Sequence, residues 1–129
     1  MSAYLVNIRC YVSPAGNNKI ADWYAGLSEA EKADADTFLD IMRKRNATDW
    51  KLPDYKWGLQ GFSNLGELRW PSANKKHRLI GFFAGGIWYA VLGCTHKQQI
   101  YDPADALNTA DKRHKQVKNK GVATVEYDL

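Results

Sequence analysis

The sequence predicts one α+β domain over residues 1–129, with helices on one side of a mostly antiparallel sheet. Three observations carry this prediction. A β-branched and aromatic segment opens the chain, two helical segments with capping signals follow it, and further strand-like segments are joined by tight turns. The predicted architecture is an N-terminal strand, a helical hairpin, an antiparallel sheet of about four strands and a C-terminal helix.

The first half of the chain predicts the strand and the helical hairpin. Strand propensity is high in the segment YLVNIRCYV. Gly26 stands where it can end a first helix, and Ser28 and Glu31 have the spacing of a capping box that begins a second. The predicted elements are a strand at 4–12, a short helix at Lys19–Ala25 and a long helix from residue 28 to about residue 46.

The second half predicts three strands and a helix. Residues 53–60 are expected to approach the sheet irregularly, and Gly85 and Gly86 to form a tight hairpin turn. Pro103, with Asp102 as its cap, is placed to begin the last helix. The predicted elements are strands at 64–70, 78–84 and 87–95, a helix from residue 104 to about residue 118, and a short strand or flexible arm within 119–129.

Several classes of protein do not fit this composition. No apolar stretch approaches the roughly 18 residues of a membrane span, and the N-terminal segment lacks the pattern of a signal peptide. Cys10 and Cys94 lie in apolar strand-like segments, as buried thiols of a reducing compartment do. Neither cysteine has a CxxC partner, and the histidines are not at ligand spacing. The sequence therefore predicts a cytoplasmic protein with no membrane partner, no metal and no cofactor.

The positive charge is concentrated in the second half of the chain. Residues 1–70 hold nine basic and nine acidic side chains, whereas residues 71–129 hold nine basic and five acidic ones, which accounts for the net charge of +4. From Leu68 to Tyr101 there is no Asp or Glu at all. A basic field without acidic counterweight favours a polyanion such as nucleic acid. A solvated basic face is the alternative, and charge alone does not separate the two.

A hairpin between two predicted strands determines which side chains share a face of the sheet. If its centre falls between Ala73 and Asn74, the apolar residues of both strands face the core together. The resulting cross-strand pairs are Leu68–Leu79, Arg69–Arg78 and Trp70–His77.

Arg69 and Arg78, placed opposite each other, predict an anion between them. Directly opposed like charges are destabilising, and a phosphate matches the planar guanidinium fork. Glu67 lies two residues from Arg69 on the same face and is the alternative partner for one of the arginines. The surrounding basic residues favour phosphate.

A second candidate cluster lies at the end of the last predicted core strand. His96 has the chemistry of a general acid or base, and Lys97 beside it can hold a phosphate. Simple alternation places His96 on the face of Leu79, away from Arg78, unless Gly93 hosts a bulge that redirects it. An exposed histidine without a catalytic role is the alternative.

Other residues near the basic stretch are candidates for contact with RNA. Tyr101 can stack on a base or donate a proton, although a partly buried aromatic is an equally good interpretation. The basic region offers no pair of carboxylates to hold a catalytic cation, so chemistry on a phosphodiester there is expected to use the 2′-hydroxyl of RNA. The residues expected to contact RNA phosphates are Lys75, Lys76, His77 and Arg113.

Four segments together resemble the RelE/ParE superfamily of bacterial toxins, and within it the HigB-like, phage-derived branch. The segments are GELRW (66–70), HRLIGFF (77–83), IWYAVLGCTHKQQIYDP (87–103) and PADALNTADKR (103–113). The resemblance implies a small toxin that cleaves mRNA, usually on the ribosome, and is held silent by a cognate helix-turn-helix antitoxin.

The resemblance also implies roles for individual residues. Arg69 and Arg78 match arginines that grip the scissile phosphate, His96 and Lys97 match a catalytic strand-end pair, and Tyr101 falls near an aromatic that some members use. In the expected mechanism the 2′-hydroxyl attacks phosphorus, His96 transfers a proton and the product carries a 2′,3′-cyclic phosphate. The alternatives are a ParE-like inhibitor of DNA gyrase without nuclease activity and an inactive phage-derived protein on the same scaffold.

Overall fold

The computed structural model describes residues 4–97, 100–120 and 123–127. Over these residues the chain forms an α+β structure of three helices and a seven-stranded sheet, with a short 3-10 turn at Ala47–Asp49. None of the helices in these ranges is long and apolar enough to cross a membrane. In chain order the elements are β1 (Asn7–Tyr11), α1 (Lys19–Ala25), α2 (Glu29–Arg43), β2 (Tyr55–Leu59), β3 (Phe62–Ser72), β4 (Lys75–Ala84), β5 (Ile87–Lys97), β6 (Ile100–Asp102), α3 (Ala106–Lys120) and β7 (Thr124–Glu126).

The sheet is mixed rather than purely antiparallel. Its strand order is β2-β3-β4-β5-β1-β7, and β6 pairs with the end of β5. Strand β1 runs parallel to β5, whereas every other described pair is antiparallel. The prediction of an α+β fold is confirmed, but the sheet has seven described strands instead of about four.

Helices cover both faces of the sheet, so the expectation of helices on one side is wrong. Helices α1 and α2 pack on one face, over a core that contains Trp50, Trp88 and Leu39. Helix α3 packs on the other face, where Ala106 and Ala110 contact a second core. The physical reason is that β4 carries large apolar side chains on both of its faces, and each face must be removed from water.

Several predicted boundaries need correction. Residues 53–60 were expected to be irregular, yet Tyr55–Leu59 forms the edge strand β2, because Tyr55 and Leu59 anchor it in the two cores. The second helix ends at Arg43 rather than near residue 46. The last helix begins at Ala106 rather than at residue 104, because Asp102 belongs to β6 and pairs with Thr95.

The C-terminal segment forms one of its two predicted alternatives. Thr124–Glu126 is a short strand, β7, which pairs with β1. Residues 121–122 and 128–129 of the predicted segment lie outside the described residues. Cys10 and Cys94 are both buried free thiols, and burial raises the pKa of each to about 12.

Candidate functional site

The β3–β4 hairpin has the predicted register. Ala73 and Asn74 form its two-residue turn, with positive φ angles of 53° and 62° as a primed turn requires. Arg69 is therefore the direct cross-strand partner of Arg78. The predicted neighbouring pairs, Leu68–Leu79 and Trp70–His77, are also present.

The buried carboxylate of Glu67 lies between the two arginines. Its Oε1 atom accepts a hydrogen bond from Arg69 Nε at 2.9 Å and lies 2.8 Å from Arg69 Nη2. The same oxygen is 3.7 Å from Arg78 Nε, while Tyr101 donates its hydroxyl hydrogen to Oε2. Glu67 is fully buried. The interpretation that a phosphate is needed to offset the two arginines is therefore wrong, because Glu67 already supplies the counter-charge.

Arg78 is largely buried beside Glu67. Its side chain is only 10% exposed, and Nη1 donates a hydrogen bond to the carbonyl of His77 at 3.0 Å. Burial lowers the pKa of Arg78, and the negative charge of Glu67 opposes that shift. Arg69 keeps more contact with solvent, with 26% of its side chain exposed. Of the two arginines, Arg69 is therefore the more accessible to solvent.

A β-bulge in β5 brings His96 to the arginine face. Ala90 pairs with Gly81 and Leu92 pairs with Ile80, so Val91 is an extra residue with no partner on β4. Beyond this bulge the alternation of β5 is reversed, and His96 pairs with Lys76 on the face that carries Arg78. A bulge therefore does redirect His96, but it lies at Val91, two residues before Gly93, where the sequence had allowed one.

Gly93 has a packing role instead. A Cβ atom at this position would lie 2.3 Å from the indole ring of Trp23, so the glycine lets α1 approach β5 closely. Lys97 is the neighbour of His96 along β5 and therefore faces the other side of the sheet. The two residues of the predicted strand-end pair thus alternate between the faces of the sheet, although both border a cleft at the end of the strand.

Five polar side chains line an open cleft of about 410 Å³ on the α3 face. His96 and Tyr101 are cross-strand partners in β5 and β6, with ring centroids 4.6 Å apart. Burial, followed by the hydrogen bond to Glu67, raises the pKa of Tyr101, so its hydroxyl stays protonated. The polar residues that line the cleft are Lys56, Gln60, Arg69, His96 and Tyr101, together with the apolar Leu59 and Leu107.

His96 also borders a second open cleft, of about 430 Å³, at the tip of the β3–β4 hairpin. This cleft is lined by three lysines, and the only carboxylate among its lining residues is that of Asp102. Lys75 is exposed, although its Nζ atom lies 3.6 Å from Glu31. The lysines are Lys75, Lys76 and Lys97.

Two of the four residues expected to contact RNA phosphates are placed elsewhere. His77 is 1% exposed on the other face, stacked on Trp70 with Nε2 3.0 Å from a carboxylate oxygen of Glu31. Arg113 turns toward the sheet, where Nη1 donates a hydrogen bond to the carbonyl of Val91 at 2.9 Å. The RNA-binding prediction is therefore wrong for His77, which is buried, whereas for the partly buried Arg113 it stays a prediction; Lys75 and Lys76 are exposed.

The sequence did not predict the place of Lys56 in the site or the full set of contacts of Glu67. Lys56 belongs to the segment that was expected to be irregular, yet it pairs across β2 and β3 with Glu67 and so faces the same cleft. Recognising β2 as a strand would have placed Lys56 there. Glu67 was considered as the partner of one arginine, and its simultaneous contact with Tyr101 depends on β6, which was not predicted.

The cleft has the chemical means to hold a phosphate and transfer a proton. Arg69 and Lys56 provide positive charge, and His96 provides an imidazole that can donate or accept a proton. Among residues 4–97, 100–120 and 123–127, no group of three or more His, Cys, Asp or Glu side chains is placed to hold a metal ion. Comparison of the chain with protein-family models, with curated proteins and with solved structures finds no significant match.

Proposed function

We propose that this protein is a metal-independent endoribonuclease, the toxin of a toxin-antitoxin pair, that cleaves mRNA on the ribosome. The observation that carries the proposal is the convergence of Arg69, Lys56 and His96 on one open cleft. The sequence resemblance to the RelE/ParE superfamily supports the choice of RNA as substrate and of a helix-turn-helix antitoxin as partner. The net charge of +4 agrees with a polyanionic substrate.

In the proposed reaction, Arg69 and Lys56 bind the scissile phosphate at the mouth of the cleft. The 2′-oxygen forms a bond to phosphorus while the bond from phosphorus to the 5′-oxygen breaks, which leaves a 2′,3′-cyclic phosphate. His96 supplies the proton that the departing 5′-oxygen requires, and solvent in the open cleft accepts the proton of the 2′-hydroxyl. The charge that builds on the phosphate oxygens is offset by the guanidinium of Arg69.

The second cleft supports a polymeric substrate. Because His96 borders both clefts, a strand whose scissile phosphate lies beside Arg69 can continue past His96 toward the hairpin tip. Lys75, Lys76 and Lys97 then contact a neighbouring phosphate. Such contacts depend on the backbone and not on the base, so they add affinity without sequence preference.

Cleavage of a defined RNA by the purified protein tests the proposal. We expect cuts that leave 2′,3′-cyclic ends, that persist in excess EDTA, and that disappear when the nucleotide 5′ to the cut is 2′-deoxy. His96→Gln should lower the rate constant about 100-fold or more, as loss of a general acid does. Lys44→Gln is the control, because Lys44 is exposed on α2 and pairs only with Asp40 among the ion pairs described.

Three outcomes would contradict the proposal: no cleavage of free or ribosome-bound mRNA, loss of free-RNA cleavage in EDTA, or an unchanged rate in His96→Gln. One observation favours the alternatives of a gyrase inhibitor or an inactive protein on this scaffold. Glu67 already neutralises part of the arginine pair, so the two arginines form a stable internal cluster without any substrate. A DNA gyrase supercoiling assay with the same purified protein distinguishes the first of these alternatives from the nuclease.

A further inference from the structure

We infer that Arg113 is a positioning residue, which holds the β5 bulge at Val91 and thereby keeps His96 on the face of Arg69. This inference rests on the proposed function for its catalytic consequence. Its structural part, the placement of His96, stands on the geometry of the bulge and of helix α3.

The bulge decides which strand-end residue faces the arginines. Up to Ala90, β5 alternates so that even-numbered residues face α1 and α2, as Trp88 and Ala90 do. After Val91 the even-numbered residues face α3, as Cys94 does. Without the extra residue, Lys97 would take the arginine face and His96 would turn away from it. One inserted residue therefore exchanges His96 for Lys97 at the cleft.

The bulge residue, Val91, receives a hydrogen bond from outside the sheet. It is fully buried and has no register partner on β4 or on β1. A buried carbonyl needs a hydrogen-bond donor, because leaving it without one carries a desolvation cost. Arg113 is a donor to this carbonyl from helix α3, with Nη1 2.9 Å from the Val91 oxygen.

Arg113 is held in place from the helix side as well. Its guanidinium lies over the ring of Tyr11, 5.0 Å from the ring centroid, and the Tyr11 hydroxyl donates a hydrogen bond to Gln116 one turn further along α3. Burial lowers the pKa of Arg113, which agrees with a guanidinium turned toward the protein. The opposite strand also accommodates the bulge, because a Cβ on Gly81 would lie 2.2 Å from the Tyr89 carbonyl.

The experiment compares Arg113→Met with Arg113→Lys and with the control Lys112→Met. Methionine keeps an unbranched apolar stem but has no donor, lysine keeps a donor that ends one bond short of the guanidinium nitrogens, and Lys112 is an exposed neighbour that carries the same charge. The first readout is the nuclear Overhauser contact between the rings of His96 and Tyr101, which does not require activity. The second is the division of the kinetic effect between kcat and KM on an RNA substrate.

We expect Arg113→Met to lose the His96–Tyr101 ring contact and to lower kcat about 100-fold, as a misplaced catalytic group does. Its KM should stay near wild-type, since Arg69 and Lys56 are not attached to the bulge. Arg113→Lys should recover the ring contact and most of the rate, and Lys112→Met should match the wild-type protein. If Arg113→Met does not fold, Arg113→Gln takes its place, because glutamine is polar but two bonds too short to reach Val91.

Two results would overturn the inference. An unchanged ring contact in folded Arg113→Met or Arg113→Gln would show that the bulge does not need Arg113. A raised KM with unchanged kcat would make Arg113 a contact to the RNA backbone instead. If the wild-type protein cleaves no RNA, the proposed function fails, but the ring contact still decides whether Arg113 places His96.

Discussion

Replacing Glu67 with glutamine tests whether one buried carboxylate holds the arginine cluster together. Glutamine has nearly the same volume and keeps one acceptor oxygen, so the change removes the charge and one of the two acceptors. In the wild-type protein Oε1 of Glu67 lies 2.8 Å from Arg69 Nη2 and 3.7 Å from Arg78 Nε. The other oxygen, Oε2, accepts a hydrogen bond from the Tyr101 hydroxyl. After the substitution, Arg78 remains buried without a nearby counter-charge.

The expected loss is about 3 kcal/mol in the free energy of unfolding. Removing one partner of a buried ion pair costs roughly 3–5 kcal/mol, because the other charge stays desolvated. The lower end applies here, since Arg69 is partly exposed and can recover water, which leaves Arg78 as the main source of the penalty. For a domain of this length the melting temperature should fall by roughly 10 °C.

Urea denaturation followed by circular dichroism at pH 7 measures this loss. Glu29→Gln is the matched control, because Glu29 is 94% exposed and its carboxylate lies 3.4 Å from Lys32. That variant should stay close to the wild-type free energy of unfolding. If Glu67→Gln is as stable as the Glu29→Gln control, the account of Glu67 as the counter-charge of the cluster is wrong.

Inorganic phosphate extends the same experiment to the proposed site. In Glu67→Gln the guanidinium of Arg69 loses its internal partner, so phosphate should bind there more readily and raise the melting temperature more than it does for the wild type. Sodium chloride at equal ionic strength separates this effect from screening. Equal shifts in the two proteins would indicate that Arg69 does not bind phosphate, which would weaken the proposed function without affecting the stability result.

Two further substitutions test the scaffold. Gly93→Ala should destabilise the protein by about 1–3 kcal/mol in urea denaturation, because the added Cβ would lie 2.3 Å from the Trp23 ring. The control is Gly26→Ala, which should show no steric loss because the nearest atom to its Cβ is at 3.5 Å. Equal stability of the two variants would contradict this packing. Hydrogen bonds from Ser28, the backbone N–H first, lower the pKa of Glu31 below its usual 4.5, so its contribution to stability is present above that pH and lost as pH falls through the lower folded value. The difference between wild type and Glu31→Gln in a pH series should therefore shrink below pH 4.5, and a constant difference would refute the linkage.

The hairpin register was predictable because its signals are local. The two-residue turn at Ala73 and Asn74 and the period-2 pattern on either side act over a few residues, and both point to the same pairing. The capping box at Ser28 and Glu31 was predictable for the same reason, and both of its hydrogen bonds are present.

The bulge position was not predictable from the strand itself. Gly93 is the conspicuous residue of β5, but its missing side chain makes room for Trp23, which is distant in the sequence. The actual bulge lies at Val91. Its carbonyl accepts a hydrogen bond from Arg113, 22 residues further along the chain, and Gly81 lies at the register shift on the neighbouring strand. Contacts of that kind arise only when the helix has been placed on the sheet.

The sequence of β4 does indicate that helices cover both faces of the sheet. In β4, Leu79 and Phe83 face one core while Ile80 and Phe82 face the other. A strand with one face in water alternates apolar and polar residues, whereas a continuous apolar run indicates burial on both sides. The apolar run LIGFF in β4 therefore indicated that helices cover both faces of the sheet. The order of the elements alone had suggested helices on one face, and relying on the apolar run instead would have placed α3 on the opposite face from α1 and α2.

The pairing of Arg69 with Glu67 also constrains how the proposed nuclease selects its substrate. A single phosphate must compete with a carboxylate that is covalently part of the protein and already aligned with the guanidinium, so one isolated phosphate gains little from displacing it. A polynucleotide adds contacts to Lys56 on one side of His96 and to the lysines of the hairpin tip on the other. Each added contact offsets part of that competition, so if the protein is the proposed nuclease we expect long strands to bind more tightly than mononucleotides. On that proposal, the internal carboxylate would favour extended RNA over the small phosphate esters of the cell.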